Sequence, residues 1–135
     1  MDEGLVVVLH AALSADPGQV AVARRLLRGY LTTRDAGRSE EQHDLPVLLV
    51  SELVTNAILH AQPPVTLRAE TDGQRLRVEV HDGATAPPVV QQVRDTGTAP
   101  PERGRGLFLV ASLADRWGWD DHADGKAVWF ELDVS

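Results

Sequence analysis

"SELVTNAILH", Ser51 to His60, is the stretch on which the fold turns. It reads as a helix, yet Glu52 and Asn56 stand in it one turn apart. On a 3.6-residue period, Val47, Val50, Leu53, Val54, Ala57, Ile58 and Ala61 share one broad apolar face. Glu52 and Asn56 fall roughly opposite, flanked by Leu45, Leu48, Leu49 and Leu59. An ordinary surface helix would carry Lys, Arg and Glu on that side. A carboxylate and an amide among leucines need either water and a helix crossing to satisfy them or a ligand. An Asn carbonyl oxygen is a hard ligand suited to Mg²⁺. Glu52, one turn away, could take a proton from a water or hydroxyl attacking a γ-phosphate.

Outward from this helix, the chain reads in alternating elements. The run "LVVVL", Leu5 to Leu9, has the character of a buried strand. In "ADPGQVAVARRLLRGYL", Asp16 is a candidate N-cap and Pro17 a first helical residue. Val20, Ala23, Leu27 and Tyr30 give that helix its apolar stripe. A polar link from Thr32 to His43 leads to Asp44, the N-cap of the Glu52 helix, and Pro63 and Pro64 end it. Val65, Leu67 and Ala69 then alternate with polar residues, as do Leu76, Val78 and Val80. The intervening "TDGQ" makes the two runs a hairpin. Gly83 to Gly104 is long, rich in Pro and Gly, and without a period; such loops are usually functional. "LFLVASLA" is a third helix. "WGW", and then Val128, Phe130, Leu132 and Val134, supply two closing strands, with "DGK" (Asp124 to Lys126) as a turn between them. The order β-α-α-β-β-loop-α-β-β predicts an α+β, two-layer α/β sandwich: a mixed, mostly antiparallel sheet with the helices gathered on one face.

Composition narrows the function. A chain of 135 residues, 43% hydrophobic, fits a single domain spanning 1–135 with one sizeable core. There is no cysteine, so disulfides and thiolate metal sites are excluded, and a reducing cytoplasm is the expected compartment. The five His lack ligand spacing. With a net charge of -7 and no basic stripe, direct nucleic-acid binding is not expected. No apolar run approaches a membrane span. A basic protein partner is compatible with the charge.

Two further features bear on chemistry. Asp82 keeps the parity of Leu76, Val78 and Val80 and should point toward the helices. It could cap the turn "DGAT" or accept a hydrogen bond from an exocyclic amine such as that of adenine. Gly104 and Gly106, in "RGRGLFLV", stand immediately before the third helix, where backbone N–H groups would meet an anion; a loop-to-helix hinge explains them equally well.

These motifs in this order resemble those of the histidine-kinase-like ATPase superfamily (the Bergerat ATP-binding fold), and most of all its bacterial anti-sigma factor serine/threonine-protein kinases. "ELVTNAILHA" is similar to the N-box, "VEVHDGATAPP" to the first glycine box, "GRGLFLV" to the second, and "LADRWGW…GKAVWFEL" to the ending. The resemblance implies that Asn56 ligates Mg²⁺, Glu52 is the general base, and Asp82, with Gly83 beside it, binds adenine. Gly104, Arg105, Gly106 and Leu107 would contact the phosphates of ATP, and Ala84 to Arg103 would be a lid. It also implies transcription regulation through a sigma factor and an antagonist protein, and a homodimer is compatible with it. Two positions depart from the pattern. Ala84 stands where a Gly is frequent, and Lys126 stands where a Thr is frequent, with the inward parity of Val128 and Phe130. Three functions compete: a protein kinase, a partner-switching module with ATP as ligand only, and an ATPase hydrolysing ATP to water.

Overall fold

The computed structural model describes residues 7–34, 40–60, 64–83 and 102–133, with backbone alone for Glu40, His60 and residues 102–106. Five strands form one sheet in the order β1-β2-β3-β5-β4. They are β1 (Leu9–Leu13), β2 (Val65–Thr71), β3 (Arg75–Asp82), β4 (Arg116–His122) and β5 (Gly125–Asp133). Among the described residues each pairing is antiparallel, in keeping with the mostly antiparallel sheet expected. The helices are α1 (Gln19–Arg34), α2 (Asp44–His60) and α3 (Glu102–Leu113), with a 3₁₀ turn at Glu40–His43 before α2.

The two-residue period of the strands builds the layers. Val65, Leu67 and Ala69 of β2, Leu76, Val78 and Val80 of β3, and Val128, Phe130 and Leu132 of β5 are all buried. They form the floor of the core, onto which the helices press Ala23, Leu27, Leu31, Leu49, Val50, Leu53, Val54, Leu107 and Val110. At α2 the chain inserts its central helix, which touches α1 on one side, α3 on the other, and β2, β3 and β5 beneath. Tyr30 ties three segments together. Its hydroxyl donates to the Val7 carbonyl at 2.6 Å and accepts from the Thr71 amide at 3.2 Å.

The first strand departs from expectation. It runs from Leu9 to Leu13, with Val7 and Val8 outside it, where Leu5 to Leu9 was expected; Leu5 and Val6 lie outside the described residues. The far end is set by its partner: Leu9 sits opposite Ala69 and Leu13 opposite Val65, and beyond Val65 comes Pro64, which has no N–H to extend the ladder past Leu13. Apolar character alone marks a strand but does not set where its partner begins. The first helix starts later than Pro17 suggests. Asp16 and Pro17 form a turn ahead of it, with the Gln19 amide bonded to the Asp16 carbonyl at 2.8 Å. The hairpin turn is as read: Asp72 accepts from the amides of Gln74 and Arg75 at 2.9 and 3.0 Å, and Gly73 takes a φ of 91°.

The opposite face of the sheet is a layer of charge. Arg77 bonds Glu79 at 2.6 Å and Glu131 at 3.0 Å, and its guanidinium lies 4.2 Å over the Trp129 ring. Arg116 bonds Glu131 at 2.8 Å and also reaches Asp133. At Glu79 and Glu131 burial opposes ionisation, but the bonds from Arg77, His81 and Arg116 prevail and hold both carboxyls below the usual range. Arg116 does the same for Asp133. These groups ionise more readily folded than unfolded. Their contribution is therefore complete above the ordinary carboxylate range and is lost as pH falls through the lowered folded values. We expect the melting temperature, followed by circular dichroism, to drop between about pH 5 and about pH 3. A flat or rising melting temperature across that interval would contradict the ion-pair layer.

Candidate functional site

The face of α2 that the sequence shows as one leucine-lined surface is divided in the structure. Leu49 is fully buried with the core, whereas Leu45, Leu48 and Leu59 are exposed. Asn56 is 8% exposed and Glu52 is half-buried. The helical period stacks Leu49, Glu52 or Leu53, and Asn56 on adjoining turns. Ser51, also buried, is absorbed locally: its hydroxyl donates to the Leu48 carbonyl at 2.7 Å.

Asp82 ends β3 on the face predicted for it, in line with Leu76, Val78 and Val80. It lies directly opposite Lys126 across the β3–β5 ladder. The Lys126 Nζ donates to Asp82 Oδ1 at 3.0 Å, and the two side chains are 4% and 1% exposed. Lys126 was legible as an inward lysine from its strand parity. Its partner was not, because the register that sets Asp82 against Lys126 is written in neither strand alone.

Gly125, the residue before Lys126, is required here. Its φ is 149°, and a Cβ on it would stand 1.9 Å from the Asp82 carbonyl oxygen. Gly125→Ala should therefore push β5 away from the end of β3 at a cost of ~2–3 kcal/mol. Urea unfolding measures it; a midpoint unchanged from wild type would show that the strands are not so closely apposed.

The second glycine motif is placed differently from expectation. Gly104 and Gly106 lie inside the first turns of α3, which begins at Glu102, rather than before the helix. An acidic residue at the first position is favourable at a helix start, where the dipole is positive. The backbone of Arg105 lies in the same turns, and Leu107 is buried at 1% exposure against the core. Of the expected lid, 84–101 lies outside the described residues, while Glu102 and Arg103 belong to α3. Gly83 follows Asp82 in a bend.

The donor set can be tested against a cation. Among the described residues no group of three or more His, Asp or Glu is gathered that could hold a metal by itself. One amide oxygen with one neighbouring carboxylate suits Mg²⁺, which keeps several waters and shares its remaining positions with substrate phosphates. The residues therefore fit a nucleotide-bound magnesium, and not an all-protein cage.

Comparison with known proteins assigns the class. Residues 13–132 match the histidine kinase-like ATPase domain, and the chain belongs to that family. Among solved structures, it is similar to the RsbU and RsbW domains of Rv1364c from Mycobacterium tuberculosis, with a TM-score of 0.67 and 20% identity. That match takes in 95% of this chain and 32% of the other, so this chain spans about a third of the length of that one. A histidine kinase domain from the Erythrobacter litoralis EL346 blue-light activated histidine kinase matches at a TM-score of 0.49 and 24% identity, covering 92% of this chain and 66% of that one. No curated protein matches. None of the helices among the described residues is long and apolar enough to cross a membrane.

Proposed function

We propose that the chain is an ATP-binding regulatory protein of the anti-sigma factor type, which transfers the γ-phosphate of ATP to a Ser or Thr of a small antagonist protein and sequesters a sigma factor. The observation that carries the reading is the buried Asn56 amide one turn from Glu52 on the central helix of an ATPase-family fold. Asn56 would supply an oxygen to Mg²⁺, which when bound neutralises phosphate charge. Asp82 and Gly83 would meet the adenine at the end of β3. The resemblance would bring Gly104, Arg105, Gly106 and Leu107 to the phosphates; with α3 beginning at Glu102, it is the N–H groups of its first turn, that of Gly104 among them, that would be free to meet an anion.

The reaction places one demand on Glu52. As the hydroxyl oxygen of the antagonist forms its bond to the γ-phosphorus, the bond from that phosphorus to the β–γ bridging oxygen breaks and ADP leaves. The hydroxyl proton must go to a base, and Glu52 is the carboxylate one turn from the metal-binding amide. The net charge of -7 suits a basic surface on the protein bound.

Incubation with [γ-³²P]ATP, Mg²⁺ and candidate antagonist proteins tests the reading. Label on a Ser or Thr of an antagonist supports it. ATP bound without transfer to any protein would make the chain a partner-switching module, and phosphate released to water alone would make it an ATPase.

A further inference from the structure

The outer side of α1 carries an inference that is independent of the nucleotide reading. Ala23, Leu27 and Leu31 are the buried stripe of this helix. Away from them a groove of about 450 Å³ lies between the helix and the segment leading into β1, walled by Val7, Val8, Leu26 and Tyr30. The Tyr30 hydroxyl, bonded to the Val7 carbonyl at 2.6 Å, ties the two walls together, and Val7 is still 50% exposed. Thr33 lines the groove as well. Its hydroxyl donates to the Gly29 carbonyl at 3.0 Å, which leaves the methyl group for an outside contact. None of the residues assigned to the nucleotide lines this groove.

Gly29 stands exposed in the middle of the helix, where glycine weakens it. The packing of the described residues does not ask for a glycine, since a Cβ there would meet nothing within 4 Å. Bare backbone in a groove does permit close approach from outside. Arg25 and Arg34 border the groove, and at about two and a half turns apart they rise on opposite sides of it. Charge gives the face its sign. α1 holds Arg24, Arg25, Arg28 and Arg34 and no acidic residue, in a chain of net charge -7. Arg28 is bonded to Asp44 at 2.9 Å, while Arg24, Arg25 and Arg34 are exposed.

We propose that this groove docks an acidic amphipathic helix of another protein, with an apolar side chain over Gly29 and carboxylates on Arg25 and Arg34. Apolar anchors on one helix face are what such a groove takes up, and a guanidinium meets a carboxylate with two parallel hydrogen bonds. A nucleic-acid backbone would match the charge but has no side chain to fill the apolar floor.

Fluorescence anisotropy of the full chain with two synthetic helical peptides tests this. One has leucines along one face flanked by glutamates, and its twin has lysine at every glutamate position. The chain's net charge favours the lysine twin, so preference for the glutamate peptide reports the local face. The glutamate peptide should bind at least ~10-fold more tightly than its twin. Gly29→Gln, which fills the groove at an exposed position, should weaken that binding by a similar factor, as should Arg25→Glu combined with Arg34→Glu. Circular dichroism checks that these variants fold. No preference for the glutamate peptide in the wild-type chain would overturn the proposal, and this arm requires no variant. Undiminished binding by folded Gly29→Gln would overturn it too. A wild-type dimer in sedimentation that Gly29→Gln turns into a monomer would give the groove to a second copy of this chain and overturn the assignment to an acidic partner.

Discussion

Glu52→Gln should bind Mg-ATP nearly as well as the wild-type chain and should phosphorylate an antagonist protein slower by about two orders of magnitude or more. Glutamine keeps the size of the side chain and much of its hydrogen bonding but cannot take a proton. Glu52 is half-buried at the edge of the α2 face, where a reacting hydroxyl could approach it, unlike the core residues Leu49 and Leu53 beside it. A base acts as the proton departs, so its loss should fall on the rate of transfer and not on the ground-state affinity. Single-turnover transfer from [γ-³²P]ATP separates the two quantities. Transfer at the wild-type rate would show that Glu52 is not the base. Loss of nucleotide binding in the variant would make Glu52 a structural or metal-organising residue.

Asn56→Ala should abolish Mg²⁺-dependent nucleotide binding while leaving the fold intact. Asn56 is 8% exposed at a position outside the apolar core cluster, so truncating it should cost the folded chain only about 1 kcal/mol. The larger loss should appear in nucleotide binding when the metal is present. A folded Asn56→Ala protein with unchanged Mg-ATP affinity would move the metal site elsewhere.

The two-residue period of the strands and the helical stripe of α1 were open to reading from the residues, because burial on one face imposes them directly. Leu76, Val78, Val80 and Asp82 share their face as their spacing requires. Positions set by a distant partner were not open in the same way. The C-terminal end of β1 follows from Pro64 ending the usable length of β2, 51 residues after Leu13 in the sequence. Likewise, α3 runs back through Gly104 and Gly106, residues whose weak helix propensity argues for a loop. Leu49 reads like its neighbours Leu45 and Leu48, yet it alone of the three is buried. In the site, Asn56, Glu52 and Asp82 were visible as polar residues in apolar company. The Lys126 partner of Asp82 became visible only once two strands were set in register.

The central claim is that α2 holds a metal-dependent ATP site, and a calorimetric titration of the wild-type chain with ATP, in the presence and absence of Mg²⁺, tests it most directly. Saturable one-to-one binding is expected with Mg²⁺, with an affinity at least ~10-fold weaker when EDTA removes the metal, the loss of one strong phosphate-bridging interaction. Binding of equal strength with and without Mg²⁺, or no binding of ATP at all, would contradict it.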